Sequence, residues 1–125
     1  MNYWIFQYTT NIYKDVIKDF KNETINMWEV TKHKKKIKKG DRAIIYIGGS
    51  KGKSVYGLAE LTSEIYHIPE KERDYIDIKI IENWSESPVP YHLAKKEIPD
   101  LLIGISGTNF KASEEQFYKL KGLLL

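Results

Sequence analysis

Ala43-Ile44-Ile45-Tyr46-Ile47, Gly48-Gly49-Ser50-Lys51-Gly52-Lys53, then Val55-Tyr56-Gly57-Leu58-Ala59-Glu60-Leu61 is the stretch whose reading decides the fold. Five unbroken apolar residues predict a buried strand. The glycine-rich segment 48–53 predicts a hairpin loop. In the return strand Val55, Gly57, Ala59 and Leu61 alternate with Tyr56, Leu58 and Glu60, which is strand periodicity. Gly57, in mid-strand, predicts a bulge or a close approach by another backbone or a ligand.

Outward from this hairpin, strand signals recur on both sides. Tyr3 to Tyr8 is rich in aromatic and β-branched residues and reads as a strand. Thr9-Thr10-Asn11 follows as a helix-capping cluster. Ile12, Val16 and Phe20 then recur at helical spacing, so a helix over about 12–21 is expected. Met27-Trp28-Glu29-Val30 reads as a loop leading into His33-Lys34-Lys35-Lys36-Ile37-Lys38-Lys39. Downstream, Ile76, Ile78 and Ile80 alternate with Asp77 and Lys79, a half-buried strand over 75–81. Pro88-Val89-Pro90 reads as an extended connection. Ser113-Glu114-Glu115-Gln116 is a capping box opening a helix over 113–121. The expected class is α+β: one curved, mixed sheet or open barrel flanked by helices.

The 125 residues suit a single domain over 1–125. The apolar end Leu123-Leu124-Leu125 suggests a piece of a longer protein. A charged fraction of 30% beside 42% hydrophobic residues is a globular balance. No apolar run reaches the roughly 20 residues that span a bilayer. No secretory leader pattern opens the chain, and a cytoplasmic protein with no membrane partner is expected. The absence of cysteine excludes disulfides, thiolate metal sites and cysteine nucleophiles.

Enzyme signatures are missing. His33, His67 and His92 fall in no metal-binding spacing, and no phosphate loop or nucleophile elbow occurs. A binding domain without catalysis, metal or cofactor is therefore expected. The net charge is only +3, but its distribution is uneven. The lysine run is either a solvated face or a phosphate contact, and the second needs an aromatic, base-sized site beside it. Trp28, read as a loop residue just before that run, offers a π-face for a base. Trp84, directly after a strand, reads as a lid packed on the core edge.

Several of these segments resemble one family. Tyr3-Trp4-Ile5-Phe6-Gln7, Trp28-Glu29-Val30, and Ile37-Lys38-Lys39-Gly40-Asp41 before an apolar strand are similar to the motifs of EVE domains. Tyr56 to Leu61 and Gly107-Thr108-Asn109-Phe110 resemble that family's return strand and closing segment. The resemblance implies a PUA-like fold, related to YTH domains, with a pocket for one modified base. It maps Trp28 onto a cage wall, and Gln7, Tyr8, Thr9, Thr10 and Asn11 onto the segment that bonds the base edge. Tyr46, Ile47 and Gly48 would line the floor, and Tyr66 is the nearest aromatic where YTH domains carry a second cage tryptophan. Lys34, Lys35, Lys36, Lys38 and Lys39, with Lys51 and Lys53 of the hairpin loop, would meet the nucleic-acid backbone.

The implied function is a reader of modified DNA, with 5-methylcytosine or a related modified cytosine as the first expectation. EVE domains of this kind stand beside nucleases or at the front of McrB-like motor proteins, so a restriction-system specificity domain is expected. An RNA-binding PUA-like module and a reader of methylated adenine remain open. A reader must extrude the base at a cost of a few kcal/mol. Stacking returns about 1–3 kcal/mol per base.

Overall fold

Aromatic and β-branched residues fill the first strand, β1 (Tyr3–Thr9), and its first five residues are buried. The computed structural model describes residues 1–124, so Leu125 of the apolar end lies outside the described residues. After β1 come α1 (Val16–Lys21), β2 (Met27–Glu29), β3 (Arg42–Gly48) and β4 (Ser54–Leu61). Then follow β5 (Tyr66–Ile68), β6 (Arg73–Asn83), β7 (Val89–Pro90), α2 (Tyr91–Glu97), β8 (Asn109–Ala112) and α3 (Glu114–Gly122).

The strands run in the order β2-β6-β4-β3-β1-β8, with β5 pairing β6 and β7 pairing β4. β1 and β3 are parallel, Gln7 opposite Tyr46 and Thr9 opposite Gly48; the other ladders are antiparallel. The sheet is therefore mixed, as the α+β expectation required. It also curls until its two edges meet. Asn109 at the start of β8 is fully buried. Its Nδ2 donates to the Glu29 carbonyl at 3.1 Å, and its Oδ1 accepts from the Thr31 N–H at 2.7 Å. One side chain thus joins β8 to the end of β2, where no backbone ladder does. The result is a partly open barrel.

Both faces of the sheet are covered. Trp4, Phe6, Ile45, Ile47, Leu61, Ile76, Ile78 and Ile80 fill the inside with Val16 and Phe20 of α1. Tyr3, Ile5, Ile44, Tyr46 and Leu58 pack outside against Ala94 of α2 and Phe117 and Leu120 of α3. Gly57 is a close-approach site: a Cβ there would stand 2.0 Å from the Glu82 carbonyl oxygen. Beside it the β3–β4 register slips between Ile45 and Tyr46. The slip changes the alternation, so Val55 and Leu58, three residues apart, share the outer face.

Two local expectations change, and one element appears that the sequence reading left unassigned. The first helix begins at Val16 instead of Ile12, because the Ile12 and Tyr13 N–H groups both bond the Thr9 carbonyl in a turn. Trp28 is a strand residue: β2 pairs with β6, Trp28 opposite Ile76. Tyr91–Glu97, unassigned in the sequence, is a two-turn helix following Pro90, whose extended backbone serves as its N-cap. The capped helix over 113–121 is present as α3, with both halves of its capping box made. Trp84 is buried and stacks on Phe117 at 6.1 Å, the lid position expected for it. No helix among the described residues is long and apolar enough to cross a membrane.

Candidate nucleic-acid interface

Because β1 and β3 are parallel, their C-terminal ends lie side by side, and a cleft opens there. It has a volume of about 470 Å³ and is lined from β1 by Gln7, Tyr8 and Thr9, and from the β3 end by Tyr46, Gly48 and Gly49. Lys53 of the hairpin, Tyr91 at the start of α2 and the loop residues Gly104, Ile105 and Ser106 complete it. Such a volume suits one nucleotide-sized ligand and falls within the ~300–1,000 Å³ typical of small-molecule sites. Three tyrosines supply apolar walls. The hydroxyls of Thr9 and Ser106 and the Lys53 ammonium supply polar contacts.

Tyr46 and Tyr91 pack against each other with ring centroids 6.2 Å apart and planes tilted by 59°. Burial, and then the neighbouring Tyr91 phenol, push the Tyr46 pKa up to about 12. Burial likewise pushes Tyr8 up to about 12, against the lowering effect of the Glu29 N–H that its hydroxyl accepts at 3.2 Å. Both phenols are therefore neutral donors at physiological pH. Gly104 has φ +72, and a Cβ there would stand 2.6 Å from the Tyr91 ring. Glycine lets the loop close against that tyrosine.

Gln7 lines the cleft, but its amide is already engaged. Nε2 donates to the Ile105 carbonyl and, at 2.7 Å, to the Gly107 carbonyl, while Oε1 accepts from the Gly104 N–H at 3.2 Å. It braces the 104–107 loop where a base-edge contact was expected. Tyr8 and Thr9 of the expected edge-binding segment, and Tyr46 and Gly48 of the expected floor, do line the cleft.

The other expected pocket residues lie elsewhere. Trp28 is fully buried and stacks on Tyr8 at 4.5 Å and on Phe6 at 6.3 Å, so it supports the pocket wall from behind and lines no cleft. Its indole N–H has no hydrogen-bond partner among the described residues. Ile47 is fully buried in the barrel interior. Thr10 is buried behind the cleft, and Asn11 is exposed on the turn after β1. Tyr66 borders a different recess, where its hydroxyl donates to Asp77 at 2.6 Å.

The lysine run is exposed apart from the buried Ile37. Its beginning adjoins the cleft loop, since the Thr31 and Thr108 hydroxyls are 2.7 Å apart. Its end lies at the opposite pole: the Lys38 N–H donates to Asp41, which also binds the Trp4 indole and the Asn2 N–H. The Gly-Asp motif is thus a structural knot at the start of β3. Within the run Lys34 is held by Asp74 at 2.8 Å. The Lys34 ammonium, then His67, keep the Asp74 carboxyl below its usual pKa. Lys51 is exposed on the hairpin, and Lys53 alone among the expected basic residues lines the cleft.

Sequence reasoning missed Tyr91, Gly49, Gly104, Ile105 and Ser106. The Gly104-Ile105-Ser106-Gly107 turn composition was the available signal for the loop, and nothing local pointed to Tyr91.

A curled mixed sheet with helices on both faces, opening in a cleft at the ends of two parallel strands, is a PUA-like domain. Within that class the chain belongs to the EVE domain family, whose model matches residues 2–118. Solved structures share the fold at low identity. The human THYN1 protein, in complex with 5-methylcytosine-containing DNA, aligns with a TM-score of 0.75 at 14% identity, over 98% of this chain and 97% of that one. A hypothetical protein from Leishmania major aligns at 0.73 and 17% identity, over 98% and 94%. The ASCH protein of Zymomonas mobilis aligns at 0.62 and 13% identity, over 99% and 96%. Among curated proteins no relative matches in sequence.

Proposed function

We propose that this domain reads modified DNA by receiving one extruded base in the cleft between the β1 and β3 ends. The observation that carries the reading is the cleft itself: a nucleotide-sized recess walled by Tyr8, Tyr46 and Tyr91, with Lys53 as its cation. Membership of the EVE family, and the DNA seen bound to human THYN1, add support. Tyr91 stacks on the base, Tyr46 backs Tyr91 from the floor of the cleft, and Thr9 and Ser106 contact the base edge. Lys53 and Lys51 meet the phosphates nearby, and Lys35, Lys36, Lys38 and Lys39 meet those farther along. Lys34 joins them only by giving up Asp74.

A modified cytosine is the base proposed. Burying one added methyl is worth only about 0.8 kcal/mol, so selectivity rests mainly on cleft shape and on polar groups that the wrong base leaves unpaired. A cleft that selects without cutting suits the specificity domain of a modification-dependent restriction system.

The test compares duplexes carrying one 5-methylcytosine or one cytosine, with RNA of the same sequence alongside. Tyr91→Ala should lose about 1–3 kcal/mol of binding to the modified duplex, together with the preference for it. Tyr118→Ala, an exposed aromatic far from the cleft lining, should change neither. Tighter binding of RNA, or a preference untouched by Tyr91→Ala, would overturn the assignment.

A further inference from the structure

Two aliphatic side chains stand uncovered beside the cleft. Ile12 is 80% exposed and Ile105 48%. One exposed isoleucine is ordinary on a protein surface. These two, however, border the same shallow recess of about 210 Å³, with Gln7, Tyr8 and Thr9 beneath them. Ile105 also lines the main cleft. An apolar ledge therefore adjoins the tyrosine-walled site.

Hydrogen bonds hold the backbone of both residues. The Ile12 and Tyr13 N–H groups donate to the Thr9 carbonyl at 3.1 and 3.0 Å, which pins the turn to the end of β1. Ile105 projects from a loop bent at Gly104 and Gly107, with φ +72 and +128. The Gln7 amide fastens that loop at three backbone atoms. A loop braced so firmly around an exposed isoleucine presents that side chain to a partner.

A base taken out of a duplex leaves a gap in the stack and an unpaired partner base. Aliphatic side chains entering a base step can fill such a gap. We propose that Ile12 and Ile105 form an apolar wedge that enters the duplex beside the extruded base and keeps the gap open. The wedge rests on the reading of the cleft as a base site. It adds that the protein pays part of the extrusion cost itself, through Ile12, which stands outside the cleft lining, and through Ile105 at its rim.

The experiment sets duplex against single strand, because only a duplex has a stack to open. Binding is measured to one 5-methylcytosine oligonucleotide, alone and annealed to its complement, with 2-aminopurine, paired to thymine, at the step beside the modified base to report unstacking. Ile12→Ser should weaken duplex binding about tenfold, with single-strand binding held within about twofold. Ile12→Leu should restore the duplex affinity. Ile105→Ser should lose more on duplex than on single strand, and the double variant should abolish the 2-aminopurine signal. Equal losses on both substrates, or none, overturn the wedge while the base reading stands. A wild-type domain without preference for 5-methylcytosine in either form overturns the base reading, and the wedge with it.

Discussion

Trp28 shows how a residue's neighbours in sequence can mislead about its place in the fold. The sequence sets it beside a lysine run, which suggested a solvent-facing base stacker. The structure buries it completely, face to face with Tyr8 at 4.5 Å. Its neighbours Met27 and Glu29 are partly exposed, so the local sequence looks like a loop; only pairing with β6 makes it a strand. Tyr8, which does line the cleft, is held from behind by this indole. Trp28→Ala should accordingly lower stability by about 3–5 kcal/mol, measured by denaturant unfolding, because it empties a large core volume. A variant that keeps wild-type stability would return Trp28 to the surface role.

Among the elements, the hairpin of β3 and β4 was the most legible. Its apolar run, glycine loop and alternation are all local signals, and Gly57 marked its irregularity. The contact that closes the barrel was illegible, because Glu29 and Asn109 lie 80 residues apart and only the curl brings them together. α2 was missed for a different reason: it is two turns long, and Pro90 disguised its start as extended chain. The Asn109 clasp is the element-scale test of the curl. Asn109→Ala would leave the Thr31 N–H and the Glu29 carbonyl without their buried partner, at a cost of about 2–4 kcal/mol. Hydrogen exchange should show β2 and β8 losing protection ahead of β3 and β4. Uniform loss across the sheet would mean that the ladders, and not the clasp, hold the edges together.

At the scale of the whole molecule, tyrosine burial ties the fold to alkaline pH. Tyr8, Tyr13, Tyr46 and Tyr66 are all pushed from 10.0 to about 12, by burial first in each case. A phenol that holds its proton more tightly in the folded chain stabilises the fold fully below pH 10. That contribution is lost as the pH rises towards 12. Tyrosinate absorbance and loss of near-ultraviolet circular dichroism should therefore rise together in that window. Ionisation of these tyrosines near pH 10 with the fold intact would contradict their burial. The same global view explains which site residues sequence could supply. Gln7, Tyr8, Thr9, Tyr46 and Gly48 follow from the two strand ends, whereas Tyr91 and the 104–107 loop arrive from distant chain. The parallel pairing of β1 and β3 has one more consequence. The chain must return from the cleft pole to the far pole before β3 can begin, and it makes that journey through the lysines. Six residue steps of β3 cover about 20 Å. That equals about six base pairs at ~3.4 Å each. Under the proposed function, strand length acts as a ruler: with a base in the cleft and the duplex running along β3, the footprint reaches about half a helical turn to one side, and a shorter duplex should leave Lys38 and Lys39 with no phosphate to meet.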